Sequence, residues 1–156
     1  MHPQDILFYG HRFYLRSLER VPAAEVARPG ACGFWSTKDL VAHISSFELM
    51  LVDLLNNLLE PGPTPQLDAY RSPDFNDSQV NARQAMSYQE VLAEYTQAFE
   101  KTHALAGRIA PALWRETGLL EWYGAEYDLE DFIVYSFYGH KREHGGQIQV
   151  FSDQFS

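Results

Sequence analysis

The stretch Tyr135-Ser-Phe-Tyr-Gly-His-Lys-Arg-Glu-His-Gly-Gly-Gln-Ile148 decides how the rest of the chain is read. Extended a few residues to either side, Ile133, Phe137, His140, His144, Ile148 and Phe151 follow steps of four, three, four, four and three. That spacing is the stripe of a core-facing helix. His140 and His144 therefore stand where apolar residues would otherwise be, one above the other on the same face. Imidazoles aimed into a core need partners, because unpaired buried polar groups are costly. A shared metal ion is one such partner; hydrogen bonds to nearby tyrosines or backbone are another. Gly145 and Gly146 interrupt the pattern, each at a cost of about 0.8–1.0 kcal/mol relative to alanine in a helix interior. Either the helix stops at His144, or the missing side chains leave room for a ligand or a close neighbouring helix. The spacing continued through Ile148 and Phe151 favours the second reading.

Working back from this helix, the chain is helical nearly throughout. Asp128, with Asp131 in the first turn, caps the last helix. Ala112 to Tyr127 is irregular and holds Trp114, Trp122 and Tyr123, which either roof a pocket or close the bundle end. Ser87-Tyr-Gln-Glu90 is a capping box, opening a helix whose stripe is Val91, Tyr95, Phe99, Thr102, Ala106 and Ile109. A short helix is predicted over Asn76 to Met86, and the proline-rich Pro61 to Asp74 reads as loop. Ser36 and Asp39 begin the second helix, with Leu40, His43/Ile44, Phe47, Leu51, Leu54 and Leu58 facing inward. Pro29, Gly30 and Gly33 mark a loop before it. The first helix is predicted from Pro3 to Arg20, with Leu7, His11, Tyr14 and Leu18 as its stripe. No strand alternation is evident. The expected fold is all-α: one domain over residues 1–156, a four-helix bundle with one long crossover and an irregular aromatic-rich segment before the last helix.

Composition narrows the function classes. The 156 residues are 46% hydrophobic and 14% aromatic, enough for one sizeable core and against disorder. The net charge is −9 and no Lys/Arg run exceeds two residues, which argues against nucleic acid and anionic membrane surfaces as partners. Leu40 to Leu59 is interrupted by His43, Glu48, Asp53, Asn56 and Asn57, so no membrane span is expected. Cys32 is the sole cysteine, and Met1-His-Pro-Gln-Asp5 has no signal-peptide character. Both features suit a cytoplasmic protein.

His43, early on the second helix, supplies a third imidazole. Joined to His140 and His144 it would make a three-nitrogen site for a divalent metal; neutral imidazoles suit zinc, nickel, iron or copper. Three protein ligands leave positions open for water or substrate, as in catalytic sites. Around this set, His11 is a fourth ligand or a half-exposed neighbour of Tyr14. Glu48 is a general base or, as the blander reading has it, a partly solvated carboxylate. Gln147, one turn after His144, is placed to orient a bound water or a group behind the metal ligands. Cys32 lacks a basic neighbour to activate it. His140-Lys-Arg-Glu143-His144 also matches the H-x-x-E-H peptidase pattern, but that pattern needs a distant downstream carboxylate and only twelve residues remain. Glu143 is read as a solvated surface residue.

Two motifs give the chain a resemblance. Gly33-Phe-Trp-Ser-Thr-Lys-Asp-Leu-Val-Ala-His43-Ile-Ser-Ser-Phe-Glu48, and Tyr138-Gly-His140-Lys-Arg-Glu-His144-Gly-Gly-Gln147-Ile148, together resemble the DinB/YfiT-like superfamily. The resemblance implies a four-helix bundle, a divalent metal between helices on His43, His140 and His144, and a homodimer. It also implies, for some relatives, activation of a low-molecular-weight thiol, and for others hydrolysis. Phe47 stands where tryptophan is common, and the double glycine after His144 departs from the usual pattern.

Two functional readings follow. In the first, the site activates water or a low-molecular-weight thiol against a small organic substrate, as a hydrolase or a thiol-dependent transferase or isomerase. In the second, the bundle binds metal or a small ligand without turnover.

Overall fold

The computed structural model describes residues 1–156. Helix α1 runs Pro3–Leu18, with Pro3 at its start and the His2 ring accepting from the Gln4 amide. It stops two residues short of the predicted Arg20. Next comes a short antiparallel ribbon, β1 (Pro29–Cys32) against β2 (Trp35–Ser36). The sequence reading took this segment as plain loop. The paired segments are too short to show alternation, and the turn depends on Gly30 and Gly33, whose φ values of 109° and 58° favour glycine.

Helix α2 (Thr37–Leu59) begins at the expected capping box. Ser36 Oγ accepts from the Asp39 amide at 3.1 Å, and Asp39 Oδ2 accepts from the Ser36 amide at 2.9 Å. The Lys38 amide also donates to the Val26 carbonyl, so the ribbon and the start of α2 are tied together.

The proline-rich crossover is not all loop. It contains α3 (Pro65–Tyr70), followed by α4 (Phe75–Ala82). Two amides in the first turn of α3, those of Gln66 and Leu67, donate to Asp53 Oδ2 on α2 at 2.6 and 3.2 Å. The N-terminal cap of α3 is therefore borrowed from a residue more than a helix turn upstream in another element, which no local motif reveals. Helix α5 (Tyr88–Ala106) opens at the Ser87–Glu90 capping box, and all six residues of its expected stripe are buried.

The last helical run has three parts: α6 (Leu129–Ile133), a π-helical turn (Val134–Gly139) and α7 (His140–Ser152). Asp128 and Asp131 cap α6 reciprocally. Helix α7 continues through both glycines. A Cβ on Gly145 would lie 2.5 Å from Phe13 Cε1 and 2.9 Å from Ser17 Oγ, so that glycine lets α1 pack directly against α7. In the bundle, α2 packs chiefly on α5 and α1 chiefly on α7. Tyr14, Leu40, Leu51, Tyr95, Phe132 and Ile148 lie fully inside it. No helix is long and apolar enough to cross a membrane.

Candidate metal centre

His43 sits in the second turn of α2, placed by the capping box at Ser36. His140 is the first residue of α7, directly after the π-helical turn, and His144 follows one turn later. Such turns insert one extra residue into a helix and are frequent at functional sites. The three imidazoles meet. His43 Nε2 and His144 Nε2 each lie 2.9 Å from His140 Nε2. All three residues can point a ligand atom into one small volume, those atoms lying within 4.8 Å of one another. His43 and His144 are buried and His140 is half-buried.

The cluster cannot satisfy itself by hydrogen bonds. A neutral imidazole nitrogen carries either one proton or one lone pair, yet His140 Nε2 faces two other ring nitrogens at 2.9 Å. Only one contact can be a proper hydrogen bond. The outer partners sharpen the conflict. Gln147 Oε1 accepts from His144 Nδ1 at 2.7 Å, which turns the His144 Nε2 lone pair toward the cluster. The Ser136 backbone also acts on the His140 ring, opposing the lowering of its pKa. Lone pairs converging on one point are what a cation accepts, and zinc–nitrogen bonds of about 2.0–2.1 Å reach nitrogens spaced this closely. The residues present thus fit a bound divalent metal. Gln147 is bonded to the His144 ring itself.

The electrostatics agree. Burial, then the neighbouring His144, pushes the His43 pKa down to about 3. Burial, then His43, His144 and Lys141, pushes His140 down to about 2. Both rings are neutral at neutral pH, the form in which imidazole ligates. Apolar walls flank them: Trp35 lies 5.0 Å and Phe47 4.9 Å from the His43 ring centre, and Phe47 lies 4.6 Å from His140. From Phe47 an edge-on aromatic series passes through Tyr70 of α3 to Trp122 and Phe132. The crossover therefore packs on Phe47 through Tyr70, the irregular segment lies behind it through Trp122, and Trp114 lies buried apart from that series.

Other expected residues are placed differently. His11 is no fourth ligand. It stacks on Phe99 at 3.6 Å and shares a 2.8 Å hydrogen bond with the Tyr95 hydroxyl. Glu48 is not a half-solvated carboxylate. It is fully buried, and its Oε1 accepts from Lys141 Nζ at 2.8 Å, with both side chains at most 2% exposed. Desolvation of a carboxylate costs several kcal/mol unless a cation accompanies it, and Lys141 is that cation. Thr102 Oγ1 approaches Glu48 at 3.5 Å, and the Lys141 ammonium lies 5.4 Å from the centres of both the Tyr95 and Phe99 rings. Sequence reasoning passed over Lys141. One signal was available: Phe137, Lys141, His144, Ile148 and Phe151 also make a helical stripe, in steps of four, three, four and three. Glu143 is exposed, and Cys32 is a free, half-buried thiol.

The family model of the DinB superfamily matches residues 10–148, nearly the whole chain, and the chain belongs to that superfamily. No curated protein and no solved structure matches it.

Proposed function

We propose that this DinB-superfamily chain is a metal-dependent enzyme whose three imidazoles, His43, His140 and His144, hold a divalent ion, zinc or nickel before iron or copper. The observation that carries the reading is the meeting of three Nε2 atoms at 2.9 Å spacing around His140, a set that hydrogen bonds alone cannot satisfy. A divalent ion bound there supplies Lewis acidity, lowering the pKa of a coordinated water or low-molecular-weight thiol.

The chain's own residues do the rest. Gln147 holds His144 in the tautomer that presents Nε2. Trp35 and Phe47 keep bulk water from two sides of the cluster, and the half-buried side of His140 leaves an approach for a small organic substrate. Lys141, whose charge acts on His140, is itself paired to a carboxylate. Glu48, the buried carboxylate on α2, is committed to Lys141. A proton taken from the nucleophile would therefore pass to solvent or substrate. This absence of a poised acid or base keeps a second reading open, a bundle that binds metal or a small ligand without turnover.

Metal analysis of untagged protein tests the centre. About one equivalent of metal per chain is expected, lost in His43→Ala and His140→Ala, with a melting temperature that falls on chelation. A chain that purifies without metal, takes none up and melts unchanged in chelator would overturn both readings. Turnover of ester, amide or epoxide substrates, with and without added thiol and abolished in His43→Ala, separates the enzyme from the binder. Sizing of the same samples tests the expected homodimer.

A further inference from the structure

We propose that the groove between α1 and the π-helical end of the last helix is a second binding site, and that it takes a soluble amphipathic anion. Its two halves share a wall made by Tyr9 and Tyr138. One half, about 320 Å³, is lined by hydrophobic residues, Ile6 and Val134 among them. The other, about 260 Å³, is lined by Arg12, Arg16 and Arg142 around Phe13. Together the halves fall within the range of small-molecule clefts, about 300–1,000 Å³.

The arginines make the case. The chain carries 21 acidic and 12 basic residues, so a basic side chain has acids to spare around it. Arg20, Arg28, Arg83 and Arg115 each pair with a carboxylate. Arg12, Arg16 and Arg142 pair with none, as is also true of Arg71 and Arg108, but only these three converge on one cleft. Arg12 and Arg16 are also four apart on α1, a like-charge spacing that costs a few tenths of a kcal/mol. Two of the guanidinium groups are held in place by aromatic faces. Arg142 lies 4.1 Å over Phe13, and Arg12 lies 5.2 Å over Tyr9. Guanidinium forks fixed this way and left without an internal acid present their N–H donors outward, which suits a phosphate, sulfonate or carboxylate head.

The apolar half abuts the charged half through the shared tyrosines, so the ligand that fits both has an alkyl or aryl body behind the anionic head. The floor is rigid. A Cβ at Gly10 would stand 3.2 Å from Tyr138 Cα, so α1 and the π-helical turn touch nearly backbone to backbone beneath the groove. Neither half is lined by His43, His140 or His144, and the inference stands apart from the metal reading.

The test is calorimetric titration of octyl phosphate, below its micelle-forming concentration, into chelator-treated protein carrying His43→Ala, so that no metal-bound phosphate is scored. One molecule per chain is expected, bound about tenfold or more tighter than inorganic phosphate and than octan-1-ol. In the same background, R12Q/R16Q/R142Q is expected to lose about tenfold in affinity with its melting temperature unchanged. The milder R16Q alone loses part of that affinity should the triple variant melt early. Octyl phosphate that binds no tighter than inorganic phosphate, or equally well to the arginine variants, overturns the proposal. So do two alternative outcomes in which octyl phosphate fails to bind. In one, phosphatidylglycerol vesicles sediment the protein in an arginine-dependent way; in the other, the arginine variants dissociate a dimer.

Discussion

Gly145 and Gly146 are neighbours in one helix, yet they face opposite demands. A methyl group on Gly145 would drive into Phe13 and Ser17 of α1, whereas one on Gly146 meets nothing within 4 Å. Gly145→Ala is therefore expected to destabilise by about 1–3 kcal/mol through overpacking. Gly146→Ala is expected to stabilise, by up to about 0.8–1.0 kcal/mol, through helix propensity alone. Urea denaturation of the two variants checks this, and a loss at Gly146 as large as at Gly145 would refute the assignment of α1 as the close neighbour. At this scale much was legible in the sequence. The histidine triad stood out because three imidazoles occupied inward positions. A need for small residues after His144 was readable too, though which of the two glycines met it was not. Glu48 was misjudged because the burial of a carboxylate depends on a partner 93 residues away, and sequence spacing within one helix carries no trace of it.

Between elements, the Glu48–Lys141 pair joins α2 to α7 inside the bundle, one residue from His140 and five from His43. Breaking a buried pair strands the surviving charge at a cost of about 3–5 kcal/mol, whereas replacing both members with apolar residues is often nearly neutral. Lys141→Met and Glu48→Leu are each expected to lose stability of that order, and the double variant K141M/E48L to recover most of it. A double variant as unstable as the two losses summed would show that the two groups do not act as a pair. Capping boxes at Ser36, Ser87 and Asp128 were legible because the signal is local: a short polar residue with an acid three residues on. The start of α3 was not, since its cap comes from Asp53. Nor was the π-helical turn. A reading at 3.6 residues per turn has no place for an inserted residue, so it took one unbroken stripe through His140 and missed that Lys141 turns further inward.

Across the whole molecule, three histidines are folded in a neutral state. His11 and His43 are each held down to about 3 and His140 to about 2, burial being the first cause in every case. In the unfolded chain each titrates near its ordinary value of about 6.5. Below that pH the unfolded chain takes up protons that the folded one refuses, and stability falls wherever the unfolded state binds more protons. The stability of chelated protein is thus complete above about pH 6.5 and is lost progressively as pH falls toward about 3. The net charge of −9 pulls the other way, since protonating carboxylates relieves self-repulsion. Unperturbed carboxylates titrate at about 3.9–4.3, however, so between about pH 6.5 and 5 the histidines dominate. The urea midpoint of chelated protein is therefore expected to drop steadily over that interval. In a variant lacking His11, His43 and His140 the drop should be much smaller, because the three rings whose protonation burial opposes are gone. A level midpoint in the parent protein would mean that these imidazoles already accept protons in the folded state, and the neutral, metal-ready centre would not exist. Excess metal should raise the stability, and the midpoint with it, where the imidazoles are neutral, by about 2.7 kcal/mol at a hundredfold excess over the dissociation constant. That gain should shrink only where protons begin to win the ring nitrogens from the ion.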